Sequence, residues 1–384
     1  MSPIASVVDL RLRGRRVFLR ADLNVPLRDG AVADDTRIRA SQETLDFART
    51  AGSRVILASH LGRPREERQP ELSLAPVARE LGLELVPDCV GPEVEARVAR
   101  LRDGEALLLE NLRFHAGETK NDPEFSAALA RLCDAYVNDA FGAAHRAHAS
   151  IAGIAALIPE RAAGLLLERE IRALTRVRDH PEPPFVCLLG GAKVSDKLAV
   201  LESLARRASV LIVAGAMAYT FLLARGEPVG RSLVEPERVD AARRLLDGPA
   251  EIVLPVDHVV TRSADEAEGA AVVTRIPSDR VALDIGPASI AQIAARLKGA
   301  ATLFWNGPVG RFERPPFDAG TRAVAKLVAE SGAYTVVGGG DSLAAIAAAG
   351  VGDRISHLST GGGASLEFLE GRTLPGIAAL EKPA

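Results

Sequence analysis

Along the whole chain, short runs of aliphatic and β-branched residues alternate with longer stretches of helical periodicity. That alternation is the signature of βαβ units built on parallel sheets. The first half carries RVFLRADLNVP, RVILASHLGRP, ALLLENLRF and AYVNDAFG. The second carries PFVCLLGGAK, SVLIVAGA, EIVLPVDHVV, ATLFWNGPVG, AYTVVGGGDS and ISHLSTGGGAS. At 384 residues the chain is long for one core. The fold class predicted is therefore α/β, with parallel sheets in two domains and a cleft between them. Aromatics make up only 4% of the residues, so Leu, Val, Ile and Ala must fill the interior, as suits helices packed on parallel strands. Three prolines in HPEPPF, His180 to Phe185, forbid a continuing helix and mark an expected break, while GLLLEREIRAL before it reads as a helix bridging the domains.

Composition narrows the partners. A formal net charge of −3 argues against nucleic acid, which needs a surplus of basic surface, so any basic site has to be local. Cys89, Cys133 and Cys187 are odd in number and in no CxxC spacing, which points to buried thiols rather than a disulfide framework or a zinc site. With no signal-peptide pattern at the N-terminus, a cytoplasmic setting is expected. The most apolar stretch, SVLIVAGAMAYTFLLARG, is broken by Gly215, Tyr219 and Thr220 and reads as a buried strand running into a helix, not a membrane span.

In an open α/β sheet, ligands bind beyond the carboxyl ends of the strands. After the first-half strands come Asp22 and Asn24, His60 and Arg63, Asn111 and Arg113, then His145, Arg146 and His148. Guanidinium groups bind carboxylate and phosphate bidentately, so the cluster Arg20, Arg63, Arg113 and Arg146 suits a small, highly anionic metabolite. After the second-half strands come glycines instead, in VVGGGDSLAAIAAAG and STGGGASLEFLEG. A glycine turn opening a helix lets the backbone approach closely and aims free N–H groups at a phosphate. Neither run extends to GxGxxG, and GxxxxGK[ST], HRD and DFG are missing, so the usual dinucleotide, P-loop and protein-kinase signatures do not apply. In LLGGAKVSDKL, two of only six lysines, Lys193 and Lys197, stand four residues apart after a double glycine. If LLGG ends a strand and AKVSDKL begins a helix, both point at one anion from the positive end of that helix. The plainer alternative is that both are surface lysines pairing with Asp196 or Glu202.

The blocks RADLNVP, SHLGRP, ENLRF, DAFGAAHRAHAS, LGGAKVSDK, WNGPVGRFE, GGGDS and STGGGASLE, in that order, resemble those of the phosphoglycerate kinases over essentially the whole length. The resemblance implies a fold of two doubly wound parallel-sheet (Rossmann-like) α/β domains facing a central cleft, and phosphoryl transfer between ATP and the carboxylate of 3-phosphoglycerate, with Mg2+ as cofactor. It implies an N-terminal 3-phosphoglycerate domain over 1–170, to which a tail at about 372–384 returns, and a nucleotide domain over 171–371 that includes the helix near 165–178. Position by position, it implies that Asp22, Leu23, Asn24, Arg37, His60, Arg63, Arg113 and Arg146 hold 3-phosphoglycerate. Lys197, Glu313, Gly339, Gly340, Asp341 and Ser342 would hold the nucleotide, with Asp341 on the metal side and Glu313 on the ribose. Lys193, Arg37 and the amides of Gly361, Gly362 and Gly363 would face the phosphoryl group in transfer. Ser342 stands where Thr is commoner, and Arg311 where the family usually has an apolar residue. A monomer that closes its cleft, with no nucleic-acid or membrane partner, is expected. Two rivals are a two-domain clamp that binds an anionic metabolite without chemistry and a nicotinamide-dependent dehydrogenase.

Overall fold

The computed structural model describes residues 4–64 and 68–381. The chain forms two compact units, Met1–Arg172 together with Thr373–Ala384, and Ala173–Arg372. The helix Leu165–Asp179 runs through the division at Arg172. Pro181, Pro183 and Pro184 do end that helix, but they do not mark the division. The last helical turn already belongs to the second unit, where Arg176 lies over the Tyr334 ring at 3.9 Å and Arg178 over the Phe368 ring at 4.1 Å.

Unit 1 contains β1 Arg16–Arg20, the hairpin of β2 Leu27–Arg28 and β3 Ala31–Val32, then β4 Arg54–Ala58, β5 Glu84–Val86, β6 Ala106–Leu109, β7 Ala135–Asn138 and β8 Arg161–Ala163. Its sheet is ordered β5-β6-β4-β1-β7-β8, and every pair is parallel. Alternate residues of the central strands, Val17 and Leu19, Val55 and Leu57, and Val137, pack on one face with Ile38, Leu45 and Ala48 of the helix Thr36–Thr50. Phe18 and Tyr136 stack on the other face, 6.2 Å apart. A sheet buried on both faces explains why its strands read as continuous apolar runs. Residues 373–381 complete this unit: Leu374, Ile377 and Leu380 are buried, Gly376 N donates to Ala144 O at 2.8 Å, and Ile4 bridges Glu381.

Unit 2 contains β9 Phe185–Leu189, β10 Val210–Val213, β11 Glu251–Val253, β12 His258–Thr261, β13 Ala271–Val273, β14 Val281–Ile285, β15 Thr302–Asn306, β16 Tyr334–Gly338 and β17 His357–Ser359. The parallel sheet is ordered β11-β10-β9-β15-β16-β17. Counted along the chain this is 3-2-1-4-5-6, the doubly wound order of dinucleotide-binding sheets, with its switch point between β9 and β15. The run EIVLPVDHVV is two strands, not one. Pro255 cannot donate to a ladder, and beyond it the chain joins a separate antiparallel sheet, β13-β12-β14. SVLIVAGAMAYTFLLARG folds as β10 followed by the helix Met217–Ala224. No helix among the described residues is long and apolar enough to cross a membrane.

Candidate active site

Two groups of polar residues stand beyond the carboxyl ends of the parallel strands, one in each unit. In unit 1, Arg20 ends β1 and is fully buried. Its Nε donates to Ser150 Oγ at 2.8 Å, its Nη1 to the Ala21 carbonyl, and its Nη2 lies 3.1 Å from His60 Nδ1. A guanidinium has only donors, so His60 Nδ1 must accept and Nε2 must carry the ring proton. Burial, reinforced by Arg20, Arg113 and Arg37, holds the His60 pKa well below its ordinary value. The ring is neutral and can donate only from Nε2.

The remaining predicted groups of this unit surround it. Asp22, nearly buried, accepts from Arg37 Nη1 at 2.6 Å, an ion pair across the start of the helix Thr36–Thr50. Leu23 N donates to Ser59 Oγ at 2.8 Å, and Asn24 Oδ1 accepts from Gly62 N at 2.8 Å, which joins the β1 loop to the β4 loop. Arg113 donates from Nη1 to Gly62 O at 2.6 Å, while its buried Nε has no acceptor among the described residues. Burial, with Arg20 and Arg146 nearby, lowers the Arg113 pKa to about 10. A cavity of about 560 Å³ is lined by Arg63, Arg113, Phe114, Thr119, Arg146 and His148, among others. Clustered cations and a buried donor left unmatched are what an anion would complete.

Sequence reasoning missed the support beneath this cluster. Glu118 is fully buried and accepts from Ser150 N at 2.9 Å and Ser150 Oγ at 2.6 Å, with His148 Nδ1 at 3.6 Å. Burial alone would raise its carboxyl, but His148, Arg20 and Ser150 hold it below its ordinary value. This buried anion balances the buried Arg20. Nothing in GETKNDPE identifies Glu118 as other than a surface residue; only the fold reveals it.

In unit 2, Lys197 and Ser342 are hydrogen-bonded to Asn306 and Gly307 where β15 ends, at the switch point. The segment after β9 is not helical until Leu198, so Lys193 and Lys197 do not share a helix face as expected. Gly190 and Gly191 are drawn against the Gly307 and Gly215 loops, and residues 190–196 turn before the helix begins. Lys193 is exposed. Lys197 sits at the N-cap of Leu198–Ala205 with its ammonium enclosed, donating to Gly190 O at 2.6 Å, Asn306 Oδ1 at 2.8 Å and Asn306 O at 3.0 Å. Burial pulls its pKa down to about 8, against Asp341 and Asp196, which favour the charge. The enclosure depends on Gly307, whose φ is +93° and where a Cβ would stand 2.6 Å from Lys197 Nζ. Asn306 and Gly307, in WNGPVGRFE, therefore shape this site although neither was named as a ligand.

Gly339, with φ +92°, caps the helix Gly340–Ala349, and Asp341 stands exposed in its first turn. A Cβ at Gly340 would meet nothing within 4 Å, so the space beside this turn is open. Ser342 turns inward: it is buried, and its Oγ accepts from Gly307 N at 2.7 Å, tying the β15 loop to the β16 loop. The Gly362 and Gly363 surroundings are likewise open at the start of Gly363–Leu369, and Gly361 N donates to Ser359 Oγ at 3.4 Å. Glu313 is exposed and accepts from Arg311 Nε at 3.3 Å. Arg311 also holds the Ala264 carbonyl and lies 3.8 Å from Asp265, so its charge is absorbed locally.

The phosphoglycerate kinase family description matches residues 7–372. A phosphoglycerate kinase of Solibacter usitatus (strain Ellin6076) is 54% identical over 389 residues, covering 98% of this chain and 99% of the relative. One of Desulforudis audaxviator (strain MP104C) is 52% identical over 388 residues, covering 98% of each. The solved phosphoglycerate kinase of Coxiella burnetii superposes with a TM-score of 0.89 at 42% identity, covering 98% of this chain and 99% of that one. That of Pyrococcus horikoshii OT3 gives 0.87 at 34% identity, covering 98% of each. With sequence and fold in agreement over nearly the full length, the chain belongs to the phosphoglycerate kinase family of phosphotransferases.

Proposed function

We propose that this enzyme transfers a phosphoryl group reversibly between ATP and the carboxylate of 3-phosphoglycerate, giving ADP and 1,3-bisphosphoglycerate, with the acid on unit 1 and the nucleotide on unit 2. The observation that carries this reading is the division of chemistry: clustered guanidinium groups around a neutral histidine in one unit, uncrowded glycine turns at helix starts in the other. The acceptor carboxylate is ionised near pH 7 and needs no general base, so catalysis is positioning and charge. Arg63, Arg113 and Arg146 bind the phosphate of 3-phosphoglycerate. His60 Nε2, Asn24 and Asp22 orient the glycerate, and Arg37 reaches the carboxylate end. Leu23 supplies backbone at this wall.

On the nucleotide side, Gly339, Gly340 and Ser342 form the turn that receives phosphates, and Glu313 takes the ribose. Lys197 exchanges its carbonyl acceptors for phosphate oxygens, and the incoming anion restores the full charge that burial disfavours. Lys193 and the amides of Gly361, Gly362 and Gly363 stabilise the transferring group, where charge spreads over the equatorial oxygens. Asp341 is exposed at a helix start beside the Gly339–Gly340 turn, and a single carboxylate with nucleotide phosphates and waters fits the preference of Mg2+. Bound there, the ion would supply charge neutralisation between the phosphates.

Three free, buried cysteines support a reducing cytoplasm. Incubation with ATP, Mg2+ and 3-phosphoglycerate should release ADP in amounts that depend on the acid. Binding of both ligands without turnover would overturn the reading in favour of a non-catalytic clamp.

A further inference from the structure

Three side chains that phosphoryl transfer leaves unused meet on unit 1. Asp88 and Cys89 follow β5, and His115 follows Phe114. Asp88 Oδ1 lies 2.5 Å from His115 Nε2 and accepts from Cys89 N at 2.6 Å. The carboxylate oxygen, thiol sulfur and imidazole nitrogen all stand within 4.8 Å of one another. The imidazole is held in plane against Phe125, with ring centroids 4.9 Å apart and 24° between the rings. Cys89 is buried beneath, donating to Glu110 O at 2.9 Å, whereas Asp88 and His115 are half-buried and reachable from solvent.

A hydrogen-bonded Asp–His pair needs no thiol. Oxygen, nitrogen and sulfur converging from two separate turns instead make a donor set suited to a borderline-soft, tetrahedral ion. We propose that Asp88, Cys89 and His115 form a binding site for a divalent transition ion of the zinc type, with water in the fourth position. Binding opens the Asp88–His115 contact so that both donors reach the ion at about 2.0–2.2 Å. The thiol proton now donated to Glu110 O leaves to solvent, and the thiolate takes its place on the metal. The Glu110 carboxylate does not compete, because it accepts from Asn111 N at 2.7 Å, Leu74 N at 2.8 Å and Ser73 Oγ at 2.7 Å. Arg68 is engaged with Pro87 O at 2.6 Å and Glu110 Oε2 at 3.5 Å. An ion here ties the β5 turn to the segment that carries Arg113 and Glu118.

The test is a titration of the chelator-treated full-length enzyme with Co2+, the spectroscopic stand-in for zinc. One equivalent should bind with an intense thiolate-to-cobalt band, and zinc should erase it. The band should vanish in Cys89→Ser and persist in Cys133→Ser. His115→Asn should weaken binding by at least about tenfold. Should Cys89→Ser fail to fold, as judged by circular dichroism, Asp88→Asn and His115→Asn, both on the exposed side, carry the test by the same titration. A wild-type enzyme without the band, a band surviving Cys89→Ser, or an affinity indifferent to His115→Asn overturns the proposal.

Discussion

Single side chains divide into those that hold substrate and those that act only during transfer, and kinetics separates them. Arg37 is half-exposed and Lys193 exposed, so truncating either removes charge without opening the core. Lys193→Ala and Arg37→Ala should each lower kcat by roughly a hundredfold, about 3 kcal/mol, as expected for loss of one well-placed charge contact at a transition state. Lys197→Ala should instead raise the ATP KM, with a fall in kcat besides. It also takes the ammonium donor from the Gly190 carbonyl and from Asn306 Oδ1, so a loss of thermal stability should accompany it. Steady-state rates of the three variants, each checked by circular dichroism, decide; near-normal kcat in both Lys193→Ala and Arg37→Ala would make these residues bystanders. Legibility at this scale was uneven. Arg63, Arg113 and His60 stand directly after strands, where a ligand group is sought. Arg20 and Glu118 belong to a buried pair whose members are far apart in sequence, and no local pattern encodes that partnership.

Among the elements, β14 carries a pH-sensitive joint. Asp284 on that strand is buried and accepts from Gly320 N at 2.8 Å, at the start of the helix Ala319–Glu330, and from Ile285 N at 2.9 Å. Burial raises its pKa to about 7, beyond what these donors restore. The folded state therefore holds a proton that the unfolded chain releases near pH 4, so this group's stabilisation is complete below about pH 4 and is lost as pH rises through 7. Asp284→Asn should remove that decline, and urea midpoints of wild type and variant should converge toward acid and part toward neutrality. Parallel midpoints from pH 4 to 8 would exclude the effect. The parallel strands were readable because burial on both faces leaves unbroken apolar runs, as in FVCLL and TLFWN. Strand β8, Arg161–Ala163, was not, because three residues of RAA carry no period. The β12–β14 sheet hid behind Pro255, and the two lysines were assigned a helix that starts only at Leu198, since a double glycine predicts a turn but not its length.

For the whole molecule, transfer requires two polyanions to meet and water to be kept from an acyl phosphate, so scattering should record a smaller radius only with both ligands present. An unchanged radius in enzyme proven active would count against closure. Truncation after Arg372 should cost roughly 5 kcal/mol or more of unit 1 stability, because it removes Leu374, Ile377 and Leu380, each worth about 1.5–3 kcal/mol when buried; denaturant titration reads the loss. The same tail governs how the molecule is made. Unit 2 is one uninterrupted stretch, whereas unit 1 closes only over residues 373–381. On the ribosome the first-synthesised unit must wait, incomplete, until translation has passed the second. The usual order, in which the N-terminal domain matures first, is thereby reversed at its final step. Nascent chains stalled at Arg372 and extruded from the tunnel should resist protease over residues 173–372 before they do over 4–172.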